Sequence, residues 1–239
     1  MLNIMVVGVG KMGTLLMQNI EQSDDLALGA VFDGFTTPDL TNVKDIHAIV
    51  DFSHPNNLAW IAPYVKEHHV PYICGTTGHS DEQKAIIESL SAYAPIVFQY
   101  NFSLGIAVFQ EVLKMITPML KENFDIEVIE THHNQKQDAP SGTAKMLVAA
   151  MNPDGEYEEV HGRNGFVGKR GKEIGIHAIR GGSVAGEHTV CFLGADEAIE
   201  IKHSATSKQI FITGALRAVR FVQNQPYGSY TMKDILFNK

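Results

Sequence analysis

The segment from Leu2 to Asp33 constrains the fold more than any other part of the chain. An apolar run, Leu2–Val7, leads into Gly8-Val9-Gly10-Lys11-Met12-Gly13, a G-x-G-x-x-G turn that opens a helical stretch over Lys11–Glu21. A second apolar run, Leu26–Phe32, is closed by Asp33, twenty residues after Gly13. This order of parts is that of a dinucleotide-binding βαβ unit. Gly8 permits a tight turn, Gly10 lets the backbone approach a pyrophosphate, and Gly13 lets helix and strand pack closely. The first amides of the helix, at Lys11 and Met12, then face the phosphates. Asp33 is placed to accept hydrogen bonds from the adenosine ribose, which suits NAD. Lys11 is placed to reach a 2′-phosphate, so NADH and NADPH both stay open.

The alternation continues. Ala48–Phe52, Pro71–Cys74 and Ile96–Gln99 read as strands, with helices over Pro55–His68 and Ser80–Tyr93. Ser80 is a candidate N-cap, with Gln83 three residues on. Near-continuous apolar strands separated by helices predict a parallel, doubly wound, Rossmann-like sheet. After Ser103 the pattern changes. A long helix over Leu104–Leu120 is followed by a strand over Phe124–Thr131, its register marked by Ile126, Val128 and Thr131. A helix is expected over Ser141–Met151, then a long Gly-, Pro- and charge-rich loop over Asn152–Lys172. Strands at Glu173–Ile179, His188–Leu193 and Ala198–His203 with few helices between them predict a mixed or antiparallel sheet. The expected organisation is an α/β dinucleotide-binding domain over 1–103 plus 207–239, with a second, α+β domain over 104–206. A final helix, Ile210–Gln223, is expected to return to the first domain.

A chain of 239 residues can bury two modest cores. Its formal net charge of −8 gives no general attraction to nucleic acid or anionic membrane, so neither is an expected partner. Cys74 and Cys191 sit in apolar runs and read as buried thiols in a reducing compartment. The N-terminal run has no basic leader, and Gly8 interrupts it. No apolar run approaches membrane-spanning length. A cytoplasmic protein is expected.

In the parallel sheet a ligand lies off the carboxyl ends of the strands. Gly75-Thr76-Thr77-Gly78 follows one strand, and its small residues and amides are suited to a nicotinamide carboxamide. Asp51-Phe52-Ser53-His54-Pro55 takes an equivalent position, either as cofactor rim, with Phe52 and Ser53 at the ligand, or as a helix-capping loop. The second domain carries the run His132-His133-Asn134-Gln135-Lys136-Gln137-Asp138-Ala139-Pro140-Ser141-Gly142-Thr143-Ala144. It sets two imidazoles and an ammonium just ahead of a helix start, where Ser141, Gly142 and Thr143 offer amides and hydroxyls. A carboxylate there gains charge-assisted hydrogen bonds and a favourable helix dipole. Gly142 and Thr143 are the chosen contacts; His132, His133 and Lys136 supply further donors, and one of the three can deliver a proton. No matched Cys, Asp or Glu spacing accompanies the histidines, so no metal is expected. From these residues alone the chain reads as a nicotinamide-dependent reductase of a small acid. A redox sensor built on the same nucleotide fold could dispense with the cationic pocket.

With these motifs in order, the chain resembles the 4-hydroxy-tetrahydrodipicolinate (dihydrodipicolinate) reductase family of lysine and diaminopimelate synthesis. The likeness runs through Gly8–Gly13, Asp51–Pro55, Gly75–Gly78, Asn101-Phe102-Ser103 and the stretch from Glu127 to Ala144. It continues in Glu173–His177, Arg180-Gly181-Gly182, Gly186-Glu187-His188 and Gly214–Ala218. The resemblance implies a homotetramer in which the second domain binds a small dicarboxylate and builds the assembly. It implies NADH or NADPH on the first domain, with Gly75, Thr77 and neighbours such as Thr76 at the nicotinamide, and Asn101 and Phe102 among the cofactor-binding residues. It implies hydride transfer to C4 of a conjugated cyclic imine. His132 is then the acid, Lys136 shares proton delivery, and His133, Lys136, Gly142 and Thr143 bind the substrate carboxylates.

Overall fold

The structure is a computed structural model that describes residues 1–237. The chain divides into two compact units, Met1–Leu104 with the chain from Gln209 onward, and Gly105–Lys208.

The first unit contains β1 (Leu2–Val7), α1 (Lys11–Glu21), β2 (Leu26–Phe32), β3 (Ala48–Asp51), α2 (Leu58–His68), β4 (Tyr72–Cys74), α3 (Asp81–Ser89) and β5 (Pro95–Phe98). Its six-stranded sheet has the order β2-β1-β3-β4-β5, completed by a strand from the far end of the chain, and every pairing is parallel. Each central strand is buried on both faces, as short Val- and Ile-rich runs require. Met5, Val7, Ile49, Tyr72, Cys74 and Ile96 pack with Leu58, Ile61, Val65 of α2 and Ile87 of α3. The alternate residues Ile4, Val6, Val50, Ile73 and Val97 are also fully buried and point to the opposite face. This is a doubly wound, Rossmann-like sheet. Its direction of growth reverses between β1 and β3, which opens a crevice at the carboxyl ends of those strands. Ser80 caps α3 in a full capping box with Gln83. Residues 55–57 form a separate 3₁₀ turn rather than the first turn of α2, with the His54 ring nitrogen accepting from the Asn56 amide.

The second unit contains α4 (Leu104–Leu120, from Gly105 on), β6 (Asp125–His132), α5 (Gly142–Met151), β7 (Glu158–His161), β8 (Glu173–Arg180), β9 (Gly186–Leu193) and β10 (Ala198–Ala205). The sheet order is β10-β9-β6-β8-β7. β6 runs parallel to β8 and antiparallel to β9, so the sheet is mixed. Ile126, Val128, Ile174, Ile176, Val190 and Phe192 meet Ile106, Phe109 and Leu113 of α4 and Leu147, Val148 and Met151 of α5. Glu127, His177, Arg163, Arg170 and Glu173 form an ion-pair network around residues of the opposite phase. Two expectations need correction here. Asn152–Lys172 is not all loop, because Glu158–His161 pairs with β8 as an edge strand. Thr131 is out of phase with Ile126 and Val128; the buried side chains that continue their face are Glu130 and His132.

The last segment contributes α6 (Gln209–Val222), β11 (Gly228–Tyr230) and α7 (Met232–Phe237). α6 packs on β3, β4 and β5, and β11 pairs with β5 as the sixth strand. A Cβ on Gly214 would overlap the Phe102 carbonyl oxygen, so the helix lies close against the end of β5.

Candidate active site

The glycine turn in the first unit has the expected form. Gly8 has φ +104°, and a Cβ there would collide with the Phe52 carbonyl oxygen. A Cβ on Gly13 would overlap the Gly8 carbonyl oxygen, whereas Gly10 has nothing within 4 Å of the same position. Two of the three glycines are therefore packed and the middle one faces open space. Gly10 is the N-cap of α1 and no side chain caps that helix. Lys11 is exposed and Met12 half-buried in the first turn. The turn leaves both amides and room for an anion, so the residues present fit a dinucleotide pyrophosphate.

Asp33 follows β2 directly. Its carboxylate accepts from the Phe35 and Thr36 amides at 2.8 and 3.0 Å and from the Thr36 hydroxyl. These amide bonds hold its carboxyl below the usual carboxylate range. A cavity of about 520 Å³ adjoins it, lined by Gly34, Phe35, Thr36, Thr37, His54, Asn56, Asn57, Ala59 and Trp60. Beyond β3, β4 and β5 stand Phe52 and Ser53, Gly75, Thr76 and Thr77, and Asn101 and Phe102. Gly75 abuts the Phe52 ring, which would overlap any Cβ there. The Phe52 and Phe102 rings meet edge to face at 5.8 Å. Thr77 is exposed, but Thr76 is buried and its hydroxyl is held by Asp51. All thirteen residues expected around a cofactor thus lie at the carboxyl edge of one sheet. Cys74 is buried there as well; burial, with the Asp51 carboxylate beside it, pushes its thiol up to about 12.

In the second unit the polar end of β6 is organised by Glu130, which is fully buried. Its carboxylate accepts from both terminal nitrogens of Arg180 at 2.7 and 2.8 Å, from the Ser141 amide at 3.0 Å, and shares a 2.6 Å bond with His132 Nδ1. Burial works to raise this carboxyl, but the bonds from Arg180, His132 and Ser141 outweigh it and leave it below the usual range. An ionised Glu130 makes His132 Nδ1 the protonated nitrogen and leaves Nε2 for proton exchange. His188, opposite Glu130 in the β9 register, bonds to the Ser141 hydroxyl at 3.1 Å. Burial, reinforced by the neighbouring His132, carries His188 down to about 4, so it is neutral where His132 has a carboxylate partner. Arg180 also donates to the Asp138 carbonyl, tying β8 to the loop.

The loop itself is anchored by its backbone, the His133 amide donating to Val184 O and the Asn134 amide to Gly182 O. His133 is half-buried. Lys136 pairs with Asp138 at 2.8 Å. Ser141 is buried, and its groups serve the protein: the hydroxyl accepts from the Ala144 amide and the amide goes to Glu130. Ser141, expected at the ligand, is the N-cap of α5 in this structure. Gly142, exposed, and Thr143 form the first turn of α5. Glu130, Arg180 and His188 were visible only as members of a longer run, with no role attached. Asp51, a carboxylate ending an apolar strand, belongs to the Asp51–Pro55 segment, with no separate role attached to it. The usable signal was a titratable residue in the buried phase of a strand, as Asp51, Glu130 and His188 are.

Comparison with known proteins decides the family. Residues 2–102 match the family model described as "Dihydrodipicolinate reductase, N-terminus", and residues 105–236 match "Dihydrodipicolinate reductase, C-terminus". The chain belongs to the dihydrodipicolinate reductase family. The C-terminal match of this reductase family spans the second unit and the helices that return to the first. The 4-hydroxy-tetrahydrodipicolinate reductase of Brachyspira hyodysenteriae is 42% identical over 237 residues, covering 98% of this chain and 100% of that one. The enzyme of the same name from Clostridium novyi is 42% identical over 241 residues, covering 96% of each. In solved structures, dipicolinate-bound dihydrodipicolinate reductase from Paenisporosarcina sp. TG-14 superposes with a TM-score of 0.77 at 19% identity, covering 99% of this chain and 100% of that one. A probable dehydrogenase from Thermotoga maritima gives 0.62 at 12% identity, covering 98% and 92%. At these identities the solved structures bear on the fold. As a member of the reductase family the chain is an oxidoreductase with a Rossmann-like nucleotide fold. Among the described residues no helix is long and apolar enough to cross a membrane.

Proposed function

We propose that this chain reduces 4-hydroxy-tetrahydrodipicolinate to tetrahydrodipicolinate with a reduced nicotinamide nucleotide, in lysine and diaminopimelate synthesis. The observation that carries the chemical part is the 2.6 Å Glu130–His132 pair set beside the first turn of α5. Loss of water from the 4-hydroxy compound gives a cyclic conjugated imine. NAD(P)H, held by the glycine turn and the loops after β3 and β4, would supply hydride for C4 of that imine, and the adjacent carbon of the resulting enamine then needs a proton. His132 is placed to give that proton from Nε2, with Glu130 holding the ring through Nδ1. Lys136 can share the task and replace Asp138 with a substrate carboxylate. Gly142 and Thr143 supply helix N-terminal amides for a carboxylate, His133 adds a donor, and Ser141 keeps the turn in shape. A chain of net charge −8 needs such a local cluster to attract a dianion.

NADH is favoured over NADPH. No lysine or arginine is among the residues lining the cavity beside Asp33, and the Asp33 carboxylate would repel a 2′-phosphate. Phe35, 88% exposed in that cavity wall, offers a face to adenine. A homotetramer is proposed through the second unit, where Ile179, Leu193 and Phe166 are exposed apolar surface. A cytoplasmic location agrees with the two free thiols.

The test is a coupled assay in which pyruvate and aspartate semialdehyde generate the substrate and oxidation of NADH and NADPH is followed separately. Oxidation is expected with wild type, faster per micromolar NADH, and about 100-fold slower with His132→Gln or Lys136→Ala. Absence of oxidation by protein that binds NADH would overturn the proposed reaction.

A further inference from the structure

The cofactor loops of the first unit are tied together by hydrogen bonds that converge on one buried carboxylate, that of Asp51. Asp51, 1% exposed, ends β3. Its Oδ1 accepts from the Ser53 amide at 3.0 Å, the Ser53 hydroxyl at 2.5 Å and the Thr76 hydroxyl at 2.8 Å. The Thr76 oxygen in turn accepts from the Ser53 amide at 2.8 Å. One carboxylate oxygen thus joins the loop after β3 to the loop after β4. On the other side Asn57, also buried, donates from Nδ2 to the Ser53 hydroxyl at 2.9 Å and to Gly34 O at 2.8 Å, which reaches the loop after β2. Oδ2 of Asp51 accepts only the Tyr72 hydroxyl, at 2.8 Å, apart from a 4.0 Å approach of the Cys74 thiol, and points into the core.

We infer that Asp51 is a positioning residue that fixes the β3 and β4 loops against each other, and so sets the seat of the nicotinamide half of the cofactor. The sheet order supplies the polarity. A dinucleotide laid along the carboxyl edge meets the Asp33 loop with its adenosine, the Gly8–Gly13 turn with its pyrophosphate, and the Ser53 and Thr76 loops with its nicotinamide. Among these loops the Asp51 side chain bonds directly only to the last, and reaches the Asp33 loop only through Ser53 and Asn57. A carboxylate suits the task because a single oxygen can receive three donors, which no apolar side chain of this size can do. Losing it would take from the Ser53 and Thr76 hydroxyls the acceptor they share and let the loops part.

This inference rests on the cofactor reading above, and two probes separate them. NADH reports the whole cofactor site; ADP-ribose, which lacks nicotinamide, reports only the adenosine and pyrophosphate contacts. Affinities for both would be measured by calorimetry. Asp51→Ala is expected to weaken NADH about tenfold and leave ADP-ribose within about twofold, with turnover at saturating NADH falling by at least about tenfold. Thr76→Val, which cuts the same link without emptying the core, should show the same selectivity if Asp51→Ala does not fold. Asp51→Asn can keep an oxygen toward Ser53 and Thr76 while its amide faces Tyr72, so it should restore the NADH-to-ADP-ribose ratio. Tyr72→Phe, which touches only Oδ2, should lower thermal stability and leave the ratio unchanged. Equal weakening of both ligands, or of neither, in Asp51→Ala and Thr76→Val would overturn the positioning role. Failure of wild type to bind either ligand would instead remove the cofactor reading, and this inference with it.

Discussion

Replacing Glu130 by Gln tests whether charge, rather than shape, organises the second unit. The side chain is fully buried and its two oxygens receive four bonds, two from Arg180, one from His132 and one from the Ser141 amide. Glutamine keeps the volume and one oxygen, but its NH₂ must face donors, and the Arg180 charge loses its counter-ion. Breaking a buried pair by removing one partner costs about 3–5 kcal/mol, and the retained oxygen puts this variant near 3 kcal/mol. For a chain of this size that is a fall of about 6–12 °C in melting temperature. The effect should also depend on pH in a defined direction. The folded-state carboxyl is held below its unfolded value, so the unfolded chain takes up the proton first as pH falls. The stabilisation is therefore complete well above the unfolded pKa of about 4.3 and disappears as pH drops through the depressed folded value. Thermal unfolding followed by circular dichroism at pH 7.5 and at successively lower pH measures both. A wild-type advantage that shrinks under acid and a lowered kcat at pH 7.5 are expected. A melting temperature within about 2 °C of wild type at pH 7.5, or a difference unchanged by acid, would refute the charge argument.

His188, buried and carried down to about 4, should make the protein acid-sensitive in a different window. Its stabilising contribution is complete above the unfolded pKa of 6.5 and is lost as pH falls toward 4, up to roughly 3 kcal/mol, so His188→Asn should flatten the stability profile between those values in urea titrations. Gly13→Ala places a methyl against the Gly8 carbonyl; about 1–3 kcal/mol of destabilisation and loss of NADH binding are expected from melting curves and fluorescence titration. Arg220 makes a two-pronged contact with Asp25 at 2.7 and 2.8 Å, but both side chains are about half exposed. Arg220→Ala should therefore cost no more than about 1 kcal/mol, less in high salt, as read by urea midpoints.

Legibility from sequence followed the range of the forces involved. β1, α1 and β2 were readable to the residue because apolar runs and a glycine turn are local signals. The edge strand Glu158–His161 was not, because its residues are polar and mostly exposed and only pairing with β8 makes them a strand. β11 and α7 are short; pairing with β5 defines the strand, and packing on α6 and β11 defines the helix. In the candidate site, the imidazoles and the helix start are legible by type and spacing. Glu130 did not, since a glutamate in a strand ordinarily faces water and its partner Arg180 lies 50 residues on. The phase of Ile126 and Val128 held the clue, and taking Thr131 as their continuation hid it. The buried hydroxyl of Thr76 shows the same limit: sequence placed it at a ligand loop, while its partner Asp51 turns it inward.

The chain leaves the first unit at Leu104 and comes back at Gln209, bringing α6 and the sixth strand. A nascent chain therefore exposes β5 as a bare edge, and the face that α6 will cover, through the whole time the central unit is being made. The central unit can close on its own contiguous residues while the older part of the polypeptide waits. Completion of the nucleotide fold is thus a late event that requires the carboxyl-terminal segment. Proteolysis of stalled nascent chains should find residues 1–104 labile long after they have left the ribosome, becoming resistant only on release of the finished protein.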